Sequence, residues 1–286
     1  MVETDIADCF SAIPHDALMR AVQERISDRA VLKLLRAILR AGVMEDGDVR
    51  RPVTGAAQGG VISPLLCNAY LHRIDRVWSA RGHGVLVRFA DDVLVMCRSR
   101  EQAEAALQRL RNLLADLGLK PKEAKTRIVH LQVDEEGFDF LGFHHRLVRS
   151  RPRDGRKPVE FLARWPADKA MRHARNRIRE LTDRHRLSLD AETVVRDINA
   201  FLRGWAGYFR YGHSARHLSK IRHYVRMRVA RFLSKRHRRS RHFGWWALLT
   251  FTPNEFGLIG LYGIVVSPRA GKPWPEKPNA AGERRR

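Results

Sequence analysis

The chain has 286 residues, with 54 Lys and Arg against 31 Asp and Glu, for a formal net charge of +23. That length can bury a sizeable core and favours two domains over one. No apolar run approaches the ~18 residues needed to span a bilayer. Met1–Asp5 carry neither the basic flank nor the apolar core of a signal peptide, and Cys9, Cys67 and Cys97 show no Cys-x-x-Cys spacing. Membrane-spanning, disulfide-stapled and zinc-knuckle classes are set aside, and a cytoplasmic protein with free thiols is expected.

The charge is unevenly placed. Residues 1–150 hold 22 basic and 20 acidic side chains, while residues 151–286 hold 32 and 11. A nearly neutral segment followed by a strongly basic one implies a polyanionic partner for the second half. Nucleic acid leads, because phosphate neutralisation with counterion release supplies most sequence-independent affinity. An anionic membrane is disfavoured, since no strongly apolar Trp/Phe face backs the basic stretches.

In chain order, Val2–Ile6 reads as a short strand ending near Asp5. Apolar residues recur at helical spacing from Asp16 to Leu39, with a polar break at Ser27-Asp28 and a stop at Gly42. Residues 43–57 form a hairpin or loop. Ser63-Pro64 starts a helix that continues to Gly82. Gly84–Val87 and Val93–Met96 then flank Phe89-Ala90-Asp91-Asp92 as two strands around a tight turn. Ser99 and Gln102 form a capping box for a helix ending at Gly118. Thr126–Val133 is a strand candidate, and Phe138–Phe143 opens another hairpin. This order predicts an α+β domain, an antiparallel sheet with helices on one face.

Residues 149–164, rich in Arg, Pro and Gly at their start, are expected to be a linker. Three helices follow, near 166–186, 190–211 and 214–237. In the last, Leu218, Ile221, Val225, Val229 and Phe232 hold one face and Arg222, Arg226, Arg228, Arg231, Lys235 and Arg236 cover much of the rest. No acidic residue occurs between Asp197 and Glu255, so this charge run reads as a binding face. Residues 268–286 are expected to be a disordered tail.

Two adjacent carboxylates repel unless a cation neutralises them, and hard oxygen ligands suit Mg²⁺. Asp91-Asp92 alone is also a common solvated turn, and Asp5 alone a surface turn residue. Together, three Asp at neighbouring strand ends would suit a two-metal phosphoryl-transfer centre. The glycines of Gln58-Gly59-Gly60, before the helix at Ser63, allow close backbone approach to an anion, or simply a positive φ.

These segments resemble the ordered motifs of group II intron reverse transcriptases. Asp5-Ile-Ala-Asp-Cys-Phe10 with Ile13-Pro-His15, Gln58-Gly-Gly through Asn68, Phe89-Ala-Asp-Asp92, Leu117 through Thr126 and Phe140-Leu-Gly-Phe143 are similar to successive palm motifs. Ile198 through Phe209 is similar to the maturase or thumb domain, and Gly260-Leu-Tyr-Gly263 to the bacterial C-terminal tail.

The resemblance implies a reverse-transcriptase palm over residues 1–148, a helical thumb/maturase domain over 165–240 and a C-terminal extension over 241–267. It implies an RNA-directed DNA polymerase and intron maturase using two Mg²⁺, intron RNA, an RNA template with a DNA primer, and deoxynucleotide triphosphates. Asp5 and Asp91 would ligate metal with Asp92 in support. Lys125 would give a proton to pyrophosphate, Phe10 would exclude a ribose 2′-hydroxyl, and Gln58 and Gly59 would line the nucleotide pocket. The Phe140–Phe143 hairpin would hold the primer end. Ala57 stands where the family usually has proline and Ser11 where it often has Asp. The family's fingers and endonuclease domain are expected to be absent. The alternative expectation is a non-catalytic RNA-binding splicing factor, or an inactive remnant.

Overall fold

The computed structural model describes residues 1–41, 43–45, 48–50, 54–55, 60–150, 157–251 and 257–266. Gln58, Gly59 and the expected tail lie outside them. The chain divides after His130 into two compact units.

In the first unit β1 (Val2–Asp5) is followed by α1 (Cys9–Ala12), α2 (His15–Gln23) and α3 (Arg29–Arg40). The Asp28 carboxylate caps α3, accepting the amides of Ala30 and Val31 at 2.8 and 3.0 Å. The small hairpin β2 (Val43–Glu45) and β3 (Asp48–Arg50) precedes α4 (Ser63–Val77), which has proline in its first turn. The helix expected to reach Gly82 stops at Val77, and a separate turn, α5 (Ala80–His83), follows. Next come β4 (Val85–Phe89), β5 (Asp92–Met96), α6 (Arg100–Asp116) and β6 (Arg127–Ile128). At α6 the Ser99 hydroxyl caps the helix as expected, accepting the Gln102 amide at 3.2 Å, while the Gln102 side chain reaches one residue further back than a capping box requires and accepts the Arg98 amide at 2.8 Å.

The strands form one antiparallel sheet in the order β4-β5-β1-β6. Alternation turns Val2, Val93 and Val95 inward, where Val2 and Val95 pack with Ala103, Ala106 and Leu107 of α6. Leu18, Leu35, Tyr70, Leu71, Ile74, Leu110 and Leu114 complete the helical layer. The Tyr70 hydroxyl donates to the Leu117 carbonyl at 2.8 Å, joining α4 to the end of α6. This unit is the α+β arrangement expected from sequence.

In the second unit β7 (Phe138–Phe140), β8 (Phe143–Arg149) and β9 (Glu160–Pro166) form a second antiparallel sheet. Leu141 and Gly142, with φ of 50° and 76°, make the two-residue β7–β8 turn. β9 corrects the expected linker over 149–164: all seven of its residues pair with β8, from Phe143↔Pro166 to Arg149↔Glu160. The structural division at His130 therefore precedes the sequence boundary at 148, because β8 is held by β9 and Phe143 belongs to the helical core of its own unit.

Four helices follow: α7 (Asp168–Leu181), α8 (Ala191–Phe209), α9 (Ala215–Arg236) and α10 (Arg241–Phe251). Met171, Ile178, Val195, Ile198, Leu202, Leu218 and Ile221 lie in their common core. The buried Asn199 side chain pins residues 257–259, donating to the Gly257 carbonyl at 2.7 Å and accepting the Ile259 amide at 3.0 Å. Among the described residues no helix is long and apolar enough to cross a membrane.

Gly244 lets α10 approach α9, since a Cβ there would overlap the Ala230 carbonyl and the Ser234 hydroxyl. Replacing Gly244 by Ala is expected to destabilise the protein by about 1–3 kcal/mol, because backbone must move to admit the methyl group. A urea denaturation midpoint measured against the parent protein checks this.

Candidate active site

Antiparallel pairing brings the carboxylates together. Asp5 ends β1 and Asp92 begins β5, and the two are direct cross-strand partners. Directly opposed residues present their side chains on one face of a sheet. Phe89 also pairs with Asp92, which leaves Ala90-Asp91 as a two-residue turn with Ala90 at φ 52°. The Asp91 carbonyl accepts the Ile6 amide at 3.0 Å, so this turn is fastened to the residue after Asp5.

A cation already stands at the site. The Lys125 ammonium donates to the Asp5 carboxylate, and the Asp5 carbonyl accepts the Lys122 amide at 2.8 Å. The intervening 3₁₀ turn, Glu123–Lys125, thereby brings the sequence-predicted Lys125 to the predicted Asp5. Burial raises the Asp92 carboxyl above its ordinary value. Cys9 and Cys67 lie near this site with their sulfurs 3.2 Å apart. The Cys9 thiol is pushed up by its hydrogen bond with Cys67, then by burial and the nearby Asp91 charge, which keeps it neutral.

Among the described residues no three His, Cys, Asp or Glu side chains converge as a ready metal cage. The donor chemistry nevertheless suits a hard divalent cation: three aspartates at adjoining strand ends, one already paired with a positive group.

Phe10, on α1, is half-buried against the core of the first unit. Gly55 sits directly on its backbone, where a Cβ would stand 2.8 Å from the Phe10 carbonyl and 2.6 Å from the Ser11 Cα. The Gly55 amide donates to the Ile13 carbonyl at 2.7 Å, and the Gly55 carbonyl lies 2.6 Å from His15 Nε2. Thus Thr54 and Gly55 are docked on the segment from Phe10 to His15.

The basic face of α9 is reordered by the structure. Arg228 reaches the end of α7, donating to the Thr182 hydroxyl at 2.9 Å and the Thr182 and Arg179 carbonyls at 3.2 and 3.3 Å. Arg236 donates to the Leu187 carbonyl at 2.9 Å and to that of Leu189. The Arg222 guanidinium lies 3.5 Å from the centroid of the Tyr262 ring. These three predicted binding residues are engaged within their own unit. Arg226 is half-exposed, and Arg231 and Lys235 are exposed. With Arg216, Lys220 and His223, which follow one another at four- and three-residue spacing, they line the solvent side of α9 away from buried Leu218, Ile221, Val225 and Phe232, and exposed Arg238 follows just past its end. Sequence reasoning missed Arg216 and Lys220, although that spacing would have shown them.

It also missed Arg88, whose guanidinium meets Asp75, Asn68 and the Ala90 carbonyl. A charged residue at an inward strand position was its one sequence signal.

Residues 1–145 match the family model described as reverse transcriptase (RNA-dependent DNA polymerase). Residues 171–249 match the group II intron maturase-specific domain. The chain belongs to the reverse transcriptase family and carries the maturase-specific domain of group II introns. It is 33% identical over 208 residues to Protein YkfC of Escherichia coli (strain K12), covering 61% of this chain and 53% of that protein. It is 39% identical over 75 residues to the group II intron-encoded protein LtrA of Lactococcus lactis subsp. cremoris, covering 26% of this chain and 12% of LtrA. The chain thus spans about half the length of YkfC and a smaller share of LtrA. The structure of telomerase from Candida tropicalis with a fragment of telomeric RNA aligns over 93% of this chain and 49% of that one, at 14% identity. The TM-score of that alignment is 0.43.

Proposed function

We propose that the chain is an RNA-directed DNA polymerase and group II intron maturase, extending a DNA primer on an RNA template and binding intron RNA. The observation that carries this is the pairing of Asp5 with Asp92 beside the Asp91 turn, which places three aspartates at adjoining strand ends. Asp5 and Asp91 would hold two Mg²⁺, with Asp92 supporting them. Bound there, the ions would make the primer 3′-hydroxyl more acidic and offset charge on the leaving pyrophosphate. Phe10 would fill the space a ribose 2′-hydroxyl needs, selecting deoxynucleotides. Gln58 and Gly59 would line the nucleotide pocket. Lys125 Nζ, which pairs with Asp5, would carry a proton to the pyrophosphate oxygen. The Phe140–Phe143 turn, fixed by the Tyr208 hydroxyl on the Leu141 carbonyl at 2.9 Å, would steady the primer end.

The pairing of Asp5 with Lys125 also favours a second reading, a splicing factor that binds RNA without synthesis. Primer extension on an RNA template, with and without Mg²⁺, separates the two. Metal-dependent DNA synthesis supports the polymerase; salt-sensitive binding of structured intron RNA without synthesis supports the splicing factor.

For RNA binding the solvent side of α9, rather than the whole helix, is expected to matter. Arg231→Gln with Lys235→Gln should reduce the slope of log affinity against log salt by roughly 1–2, at about 0.7–0.9 for each phosphate no longer neutralised. Arg228→Gln should instead lower the melting temperature, because it uncaps α7. Fluorescence anisotropy across a salt series, with thermal melting alongside, reads both.

A further inference from the structure

Arg88 stands three residues before Asp91 and pairs with Val93, placing it on the helix-covered face of the sheet, while Val87 and Phe89 on either side are exposed. Its side chain is only 10% exposed. A guanidinium in that position is costly unless its N–H groups find acceptors. They do. Nε and Nη2 meet the two oxygens of Asp75 at 3.0 and 2.6 Å. Nη1 donates to the Asn68 side-chain oxygen at 2.9 Å and to the Ala90 carbonyl at 3.0 Å.

Asp75 and Asn68 both lie on α4, so one side chain joins that helix to the turn bearing Asp91. The turn needs the support. Ala90 has φ 52°, a left-handed conformation that costs a residue with a Cβ roughly 1–2 kcal/mol. A two-residue loop has little slack, so a shift of the Ala90 carbonyl carries the Asp91 carboxylate with it.

We infer that Arg88 is a positioning residue for the metal-binding carboxylates: by holding the Ala90 carbonyl against Asn68 and Asp75, it fixes where Asp91 stands beside Asp5. The inference rests on the polymerase reading for its role in catalysis, but its geometric content concerns cation binding. Removing Arg88 leaves the Asp91 backbone bond to Ile6 in place, yet frees the turn on its other side. Lysine keeps the charge but cannot grip Asp75 at two points while also reaching Asn68 and Ala90.

The test compares Arg88→Lys, Asn68→Ala and Asp91→Asn in the full chain. Mn²⁺ binding is followed by electron paramagnetic resonance, Mg²⁺ dependence by primer extension, and folding by thermal melting. Asn68→Ala leaves the Arg88–Asp75 pair intact, so it is informative even if Arg88→Lys fails to fold. Loss of Mn²⁺ binding in Asp91→Asn, with roughly 10–100-fold weaker binding in Arg88→Lys and a smaller weakening in Asn68→Ala, supports the inference. Primer extension by Arg88→Lys should then need correspondingly more Mg²⁺, with partial recovery at saturation.

Parent-like Mn²⁺ affinity in both folded variants, with only a lower melting temperature, would make Arg88 a structural tie and overturn the inference. Failure of the parent protein to synthesise DNA, while its Mn²⁺ binding still depends on Asp91 and Arg88, would sink the polymerase reading and leave the positioning role standing. Parent-protein Mn²⁺ binding that is indifferent to Asp91 would remove both.

Discussion

Replacing Asp91 by asparagine is expected to reduce primer extension by roughly 10³-fold or more, the scale on which pre-organised electrostatic groups act in transition states. The substitution is nearly isosteric, and its structural consequences are small. The hydrogen bond from Ile6 goes to the Asp91 backbone carbonyl, which asparagine retains. Loss of the charge also relieves repulsion with Asp92 and removes an anion near the Cys9 thiol. The melting temperature should therefore stay near that of the parent or rise slightly, while synthesis collapses. Single-nucleotide incorporation and thermal melting on the same preparation check the two halves. An Asp91→Asn protein that extends primers at the parental rate would put the chemistry elsewhere.

The second unit should lose stability as pH falls from about 6.5 toward 4. His145 lies on β8, stacked on Phe138 at 4.9 Å between ring centroids and tilted against Phe143. Burial, then the Arg164 guanidinium and His144, push its imidazole down to about 4, with Asp139 opposing. An unfolded histidine titrates at ~6.5. Above that value neither state is protonated and the stability is fully present. Between the two values the unfolded chain binds a proton that the folded one refuses, so the balance shifts toward unfolding. The full loss is at most about 3–4 kcal/mol, because each tenfold change in proton affinity is worth about 1.4 kcal/mol. His213 and His217 are lowered in the same direction, chiefly by burial, and add to the trend, while Asp168 opposes it at His217. Urea midpoints from about pH 7.5 to about pH 4.5 should fall along this curve, and His145→Gln should flatten it. An identical pH profile in that variant would assign the effect to other groups.

Much of the first unit could be read from the sequence because its signals are local. The polar break at Ser27-Asp28, the Ser99 cap with Gln102 and the alternation around Asp91-Asp92 each act over a few residues, and each appears in the structure. The union of Asp5 with Asp92 was inferable only as a possibility, since pairing across 87 positions depends on the whole sheet. β9 was hidden because an Arg/Pro/Gly-rich stretch obscured where the strand begins, although Phe161, Ala163 and Trp165 alternate with Leu162 and Arg164. α10 was absorbed into an extension because its apolar residues lack an obvious cap, and Gly244 reads as a breaker until α9 lies against it. The basic run on α9 divides in the structure: Arg222, Arg228 and Arg236 are engaged within their own unit, while Arg231 and Lys235 are exposed. Charge composition cannot distinguish an arginine facing water from Arg228, which spends its donors on the end of α7.

The pairing of Asp5 with Asp92 gives the candidate site a parity. Side chains change faces at every step along a strand, so the carboxylates meet only if the number of residues before Asp5 in β1 keeps its register against β5. Deleting one residue from β1, such as Glu3, could leave composition, hydropathy and even strand formation almost unchanged while sending Asp5 to the opposite face. A swap elsewhere in β1 that keeps the alternation is a small error for such a site, whereas a residue lost or gained there inverts it. Length variation in a four-residue strand is therefore a more severe event than its effect on sequence identity suggests, and descent with active chemistry should preserve count in β1 more strictly than it preserves lettering.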